Sequence, residues 1–173
     1  MQSADVPQAT LDRVARAVRA IAAGARTARD VADLTASQPR HVSYGLAAAR
    51  TLNLLTGTVA PLKLTPLGRE MAGTPEASQQ ERDALRLAVS QSEILQQIAP
   101  GLLGRQPPSL GAIASNIRRL AGMSAGTAEH RARMISNWRK ILLQTSMLGE
   151  LDQTAMKGMW RASNSKTIAA SST

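Results

Sequence analysis

The chain contains no cysteine and no phenylalanine, and aromatic residues make up 2% of its 173 positions. The missing cysteine excludes disulfides, cysteine-ligated zinc sites and thiol nucleophiles. With one Tyr and two Trp in all, any core must be built from Ala, Leu, Ile, Val and Met. That palette suits helices better than sheets. The seven Met supply flexible side chains for irregular gaps. No apolar run approaches the roughly 20 residues of a membrane span. Residues 1–7 lack the charged-then-apolar layout of a signal peptide. A cytoplasmic protein without membrane contact is expected.

Catalytic chemistry is scarce as well. Nuclease chemistry needs carboxylates gathered around a divalent cation. Here the acidic residues are spread along the chain from Asp5 to Asp152. Asp30 and Asp33 share a helix face, but Asp30 is better explained as a helix cap. The two histidines, His41 and His130, each stand at the start of a predicted helix, and two alone make a weak case for metal. There is no glycine-rich phosphate loop and no nucleophile elbow. No enzymatic activity, metal or cofactor is expected.

What the chain does have is positive charge. Its 21 Lys+Arg against 12 Asp+Glu give a net charge of +9. Such an excess favours a polyanionic partner, because every cation that meets a phosphate releases a condensed counterion. The charge lies along a helical pattern. Leu11, Val14, Ala15, Val18, Ile21 and Ala22 recur at helical spacing behind the cap Thr10, with Asp12, Arg13, Arg16 and Arg19 off that stripe. Thr27 and Asp30 have the spacing of a capping box for a short second helix, whose apolar contacts are Ala28, Val31, Ala32 and Leu34. After the polar stretch 35–38, Pro39 opens a third helix with Val42, Leu46 and Ala49 inward. Arg40, Ser43, Tyr44, Ala47 and Thr51 then project outward. This small, basic face suits a groove lined by phosphates and base edges. Residues 54–65 read as two β-prone stretches around a Gly- and Pro-containing turn, a small hairpin, and Thr65-Pro66 opens another helix.

The second half follows a similar plan without matching residues. Ser78 to Glu81 is a capping box that opens a helix expected to run to about Ile98. Ser109 caps a helix with Leu110, Ile113, Ile117 and Leu120 on one face, stopped by Gly122. A longer helix is expected from about Thr127 to Thr145. Met134, Ile135, Trp138, Ile141 and Leu142 form its inner stripe, and Glu129, Arg133, Ser136, Asn137 and Lys140 lie outward. A second wing over 148–160 has no clean strand alternation, Trp160 is a candidate strand residue, and the end from about Ser163 is small and polar.

The stretches 27–32, 40–49, 52–55 and 62–69 together resemble a winged helix-turn-helix protein. Their order is similar to a module that occurs beside or within bacterial restriction and other phage-defence proteins. In that module an Arg-x-x-x-Tyr recognition helix, matched here by Arg40 and Tyr44, precedes a wing ending in Leu-Thr-x-x-Gly, matched by Leu64, Thr65 and Gly68. Thr127, Arg131 and the stretch 135–138 resemble its partner unit. The resemblance covers residues 10–145 and implies DNA binding. The expected fold is mainly α: two winged helix-turn-helix units, 8–74 and 77–162, with a β-hairpin wing in at least the first and a disordered tail at 163–173. The expected partner is double-stranded DNA, with a protein partner or a second copy of the chain as further candidates. Contacts would come from Gln38, Arg40, His41, Ser43, Tyr44 and Lys63 in the first unit and from Arg131, Arg133, Asn137 and Lys140 in the second. The biological role implied is that of a regulator or of a recognition subunit in a defence system. Two other readings fit the same surface: a protein–protein adaptor and an RNA-binding regulator.

Overall fold

Short polar side chains set the helix boundaries. The structure, a computed structural model, describes residues 1–143. The Thr10 hydroxyl accepts from the Arg13 amide at 3.4 Å and opens α1 (Leu11–Ala22). Thr27 and Asp30 form the anticipated capping box at the start of α2 (Ala28–Thr35), with amide–side-chain distances of 3.2 and 2.8 Å. The amides of Arg26 and Thr27 both donate to Asp30 and hold its carboxyl below the ordinary range. Ala36, left-handed at φ 48°, turns the chain toward α3 (Pro39–Thr51). Two short strands follow, β1 (Leu55–Thr56) and β2 (Lys63–Leu64), antiparallel, with Leu55 opposite Leu64 and Thr56 opposite Lys63. Thr65 then caps α4 (Pro66–Ala72) through the Gly68 amide at 3.0 Å.

The second half contains α5 (Gln79–Gln91), α6 (Glu93–Ile98), α7 (Leu110–Ala121) and α8 (Ala125–Leu143). The single helix expected from 79 to 98 is broken at Ser92. Its hydroxyl accepts from the Leu95 amide at 3.3 Å and donates to the Thr51 carbonyl at 2.7 Å, so one side chain restarts the helix and ties it to the end of α3. Ser109 caps α7 and left-handed Gly122 ends it.

The described residues are mainly helical, with one small antiparallel sheet. Val14 and Val18 of α1, Leu46 of α3, Met71 of α4, Leu95 and Ile98 of α6, Ile117 of α7 and Trp138 of α8 belong to one contiguous buried cluster. Residues of both halves therefore share a core within the unit Met1–Leu142. Two glycines set close approaches. A Cβ at Gly68 would lie 2.1 Å from the Leu54 carbonyl oxygen, so only glycine fits there. A Cβ at Gly45 would meet the Arg13 carbonyl oxygen at 3.2 Å, which is how closely α1 crosses α3.

Five residues read as facing inward are exposed: Ala22, Ala28, Leu34, Leu110 and Ile141. Leu34 is 61% exposed, because the eight-residue α2 buries a narrow stripe around Val31. Ile141 is 47% exposed, because Leu142, four residues after Trp138, takes the inward position. The second wing, Trp160, the last part of the helix expected to reach Thr145 and the tail 163–173 lie outside the described residues. Among the described residues, no helix is long and apolar enough to cross a membrane.

Candidate nucleic-acid interface

Pro39 starts α3 without an N–H to satisfy, and Val42 and Leu46 fix which way the helix faces. Gln38, Arg40 and Ser43 are consequently exposed and His41 is half-buried. The Ser43 hydroxyl donates to the Pro39 carbonyl at 3.0 Å, which leaves its oxygen lone pairs outward. Partial burial, then the nearby charges of Arg13 and Arg40, lower the His41 pKa below its ordinary value. Among the described residues the Arg40 guanidinium makes no hydrogen bond or ion pair. Lys63 is exposed on β2. The hairpin that carries it is braced by Arg50, whose Nε donates to the Gly57 carbonyl at 2.7 Å, and by the Leu62 amide, which donates to the Arg26 carbonyl at 2.8 Å.

The other end of the same face is covered. The chain N-terminus, with a short 3-10 turn at Ser3–Asp5, runs against it. Thr51 donates to the Asp5 carbonyl at 2.8 Å. Tyr44 and Ala47 are half-buried, and Tyr44 packs on the core near enough to Arg131 to act on its charge. The outward set expected on α3 therefore divides: Arg40 and Ser43 are open, whereas Tyr44, Ala47 and Thr51 lie toward packed elements.

On α8 the helix register holds. Arg133, Asn137 and Lys140 are exposed, while Trp138 is 1% exposed and its indole donates to the Ala9 carbonyl at 3.0 Å. Arg133 pairs with Glu129 at 3.5 Å. Arg131 requires a correction. It is only 9% exposed, and its guanidinium donates to the carbonyls of Ser3 and Val6 and to Gln8 Oε1. A buried guanidinium needs several acceptors, and the N-terminal segment supplies them. Arg131 thus fastens that segment to α8 and is no part of its exposed face.

Many other arginines have similar duties. Arg19 bonds Glu81 at 2.5 Å and the Thr74 carbonyl at 3.2 Å. Arg69, Arg82, Arg86 and Arg139 donate to the carbonyls of Leu64, Ala77, Leu142 and Gly104. The net charge therefore overstates the number of cations available to a ligand. Arg13 is one that the apolar periodicity passed over as merely off the buried stripe. Its guanidinium has no bonded partner among the described residues, and it shares a groove with His41. The signal for it was Gly45, a residue with no side chain on the inner line of α3, which marks a close neighbour.

Among the described residues, no three His, Asp or Glu gather as a metal site. No family model, curated protein or solved structure matches the chain.

Proposed function

We propose that this protein binds double-stranded DNA through the exposed N-terminal half of α3. In this reading α2, the turn at Ala36 and α3 form a helix-turn-helix, and the β1–β2 hairpin is its wing. The order of elements supports it, as does the Arg26–Leu62 backbone bond, which ties the α1–α2 connection to the hairpin. Arg40 is the reading residue, able to contact a guanine edge with both guanidinium nitrogens. Gln38 and Ser43 flank it, and Lys63 meets the backbone from the wing. α7 and α8 form the second helix-turn-helix, with Arg133, Asn137 and Lys140 toward DNA. The protein acts in the cytoplasm as a regulator or as the DNA-recognition subunit of a defence system.

One observation carries this proposal. Seven of the sixteen arginines among the described residues donate to the chain's own carbonyls, whereas Arg40 has no partner there and stands on an exposed helix face beside Gln38 and Ser43. The test is anisotropy of a labelled DNA duplex over a range of salt, with an RNA duplex of equal length alongside. Affinity for DNA should fall steeply, with a log–log slope of about −0.9 per phosphate contacted. RNA should bind more weakly, since a helix cannot enter the deep A-form groove. Salt-independent binding, or equal affinity for both duplexes, would overturn the proposal.

A further inference from the structure

A groove of about 370 Å³ opens where the first turns of α1 meet the α2–α3 turn and the start of α3. Arg13 and Arg16 line it from α1, and Gln38 and His41 from the other side. The close crossing at Gly45 holds Arg13 against α3, and His41 lies one turn earlier on the same helix. Asp12, also on the wall, is the ion-pair partner of Arg16, so these two charges cancel. Arg13 has no such partner among the described residues. Gln38 is the residue before α3, and its side chain makes no capping hydrogen bond. The groove thus presents one uncompensated guanidinium, an imidazole and an uncommitted amide around a space that is open to solvent.

We propose that this groove is a phosphate site. Arg13 supplies the charge, and His41 and Gln38 supply further hydrogen bonds. The natural occupant is a phosphodiester of duplex DNA, and this part of the inference rests on the DNA-binding reading. Gln38 and His41 border the groove and lie within two residues of Arg40, so a duplex read by Arg40 would bring its backbone past the opening. A free phosphate has the same chemistry, and the experiment separates the two sources.

The chain has two histidines, and His130 is exposed on α8. The ring resonances of His41 are identified by their loss in His41→Gln. The charged groups facing His41 are Arg13 and the Asp12–Arg16 pair on α1 and Arg40 on its own helix; the turn residues lining the groove are uncharged. The full chain is titrated with inorganic phosphate and, separately, with a short duplex. Duplex binding should move the His41 signals and raise its pKa. Arg13→Gln should abolish that response, weaken duplex binding roughly tenfold and reduce the salt slope by about 1. A duplex with a neutral methylphosphonate at the contacted position should bind wild type and Arg13→Gln alike. If Arg13→Gln lowers stability, the wild-type signals still decide. Duplex binding with His41 unmoved would overturn the phosphate site and leave the DNA reading standing. A His41 response to inorganic phosphate without duplex binding would keep the site, assign it to free phosphate and overturn the DNA reading. No binding of the duplex together with no His41 response to phosphate would overturn both.

Discussion

α3 and α8 have the same lead-in, a shorter helix and a polar turn, yet they use their arginines in opposite ways. α3 leaves its first turns open, with Arg40 outward and without a bonded partner among the described residues. α8 runs beneath the N-terminal segment, and that segment takes Arg131 for itself through Ser3, Val6 and Gln8. A helical projection puts Arg40 outward but Arg131 on the inner stripe of α8, with Ile135, Trp138 and Leu142; only the family resemblance offered Arg131 as a DNA contact. What separates them is whether main-chain carbonyls lie within reach. Buried carbonyls demand donors, and an arginine can satisfy several at once. Charge counted from a sequence is therefore an upper bound on charge offered to a partner.

The largest expected effect tests the structural side of that contrast. Arg131→Met should lower stability by about 2–4 kcal/mol, because the acceptors of Ser3, Val6 and Gln8 lose their donor inside the protein. Urea unfolding followed by circular dichroism measures it. Trp138→Phe removes the single bond to the Ala9 carbonyl and should cost about 1 kcal/mol. Under conditions where the variants stay folded, neither should change DNA sequence preference. An Arg131 variant of unchanged stability and altered preference would erase the contrast.

Arg40→Ala is the counterpart on α3. It should leave stability within about 0.5 kcal/mol, as for an exposed residue, and remove about 1–3 kcal/mol of discrimination between cognate and scrambled duplexes. Arg16→Ala, whose charge is already paired with Asp12, should do much less. Duplexes selected from a random pool supply the cognate sequence. Equal small effects from both changes would favour an adaptor that docks protein through this face.

Much of this contrast was legible in the sequence, and the rest had a physical reason to be hidden. Caps are local, so Thr10, Thr27, Thr65, Ser78 and Ser109 announced their helices from a few residues alone. The inward position of Trp138 followed from periodicity. Ser92 was missed because its second bond goes to the Thr51 carbonyl, far away in sequence. Glu81 was legible as part of a cap, and Ser78 does receive its amide at 3.1 Å, but its ion pair with Arg19 of α1 was not. The same holds for the N-terminal segment, whose partners lie more than a hundred residues away on α8. Local signals placed the helices, and long-range polar bonds decided which faces stayed open.

A smaller effect concerns pH. The His41 pKa is lowered by partial burial and by Arg13 and Arg40. A lowered histidine pKa means that the unfolded chain takes up the proton first as pH falls. His41 therefore contributes stability that is present above the ordinary value near 6.5 and lost as pH falls from there through the lowered pKa. DNA phosphates would reverse the local field and favour the charged ring. Duplex affinity should therefore rise as pH falls through this window, and His41→Gln should flatten the rise. A profile that His41→Gln leaves unaltered would remove His41 from the interface.

The smallest effect lies on α8 and asks whether its exposed face supports or reads DNA. Lys140 is exposed near the end of the helix, one turn beyond Asn137, while Arg133 on the same face already holds Glu129. A lysine is a compact charge on a flexible stem, suited to a phosphate and poor at the planar, two-point recognition available to Arg40. Lys140→Ala should accordingly weaken cognate and scrambled duplexes by the same factor and reduce the salt slope by about 1. The ratio between the two duplexes should remain that of the wild type. A change in that ratio as large as the one from Arg40→Ala would make α8 a reading helix and remove the functional difference drawn between it and α3. No change in affinity or salt slope would confine the DNA contact to the first half of the chain.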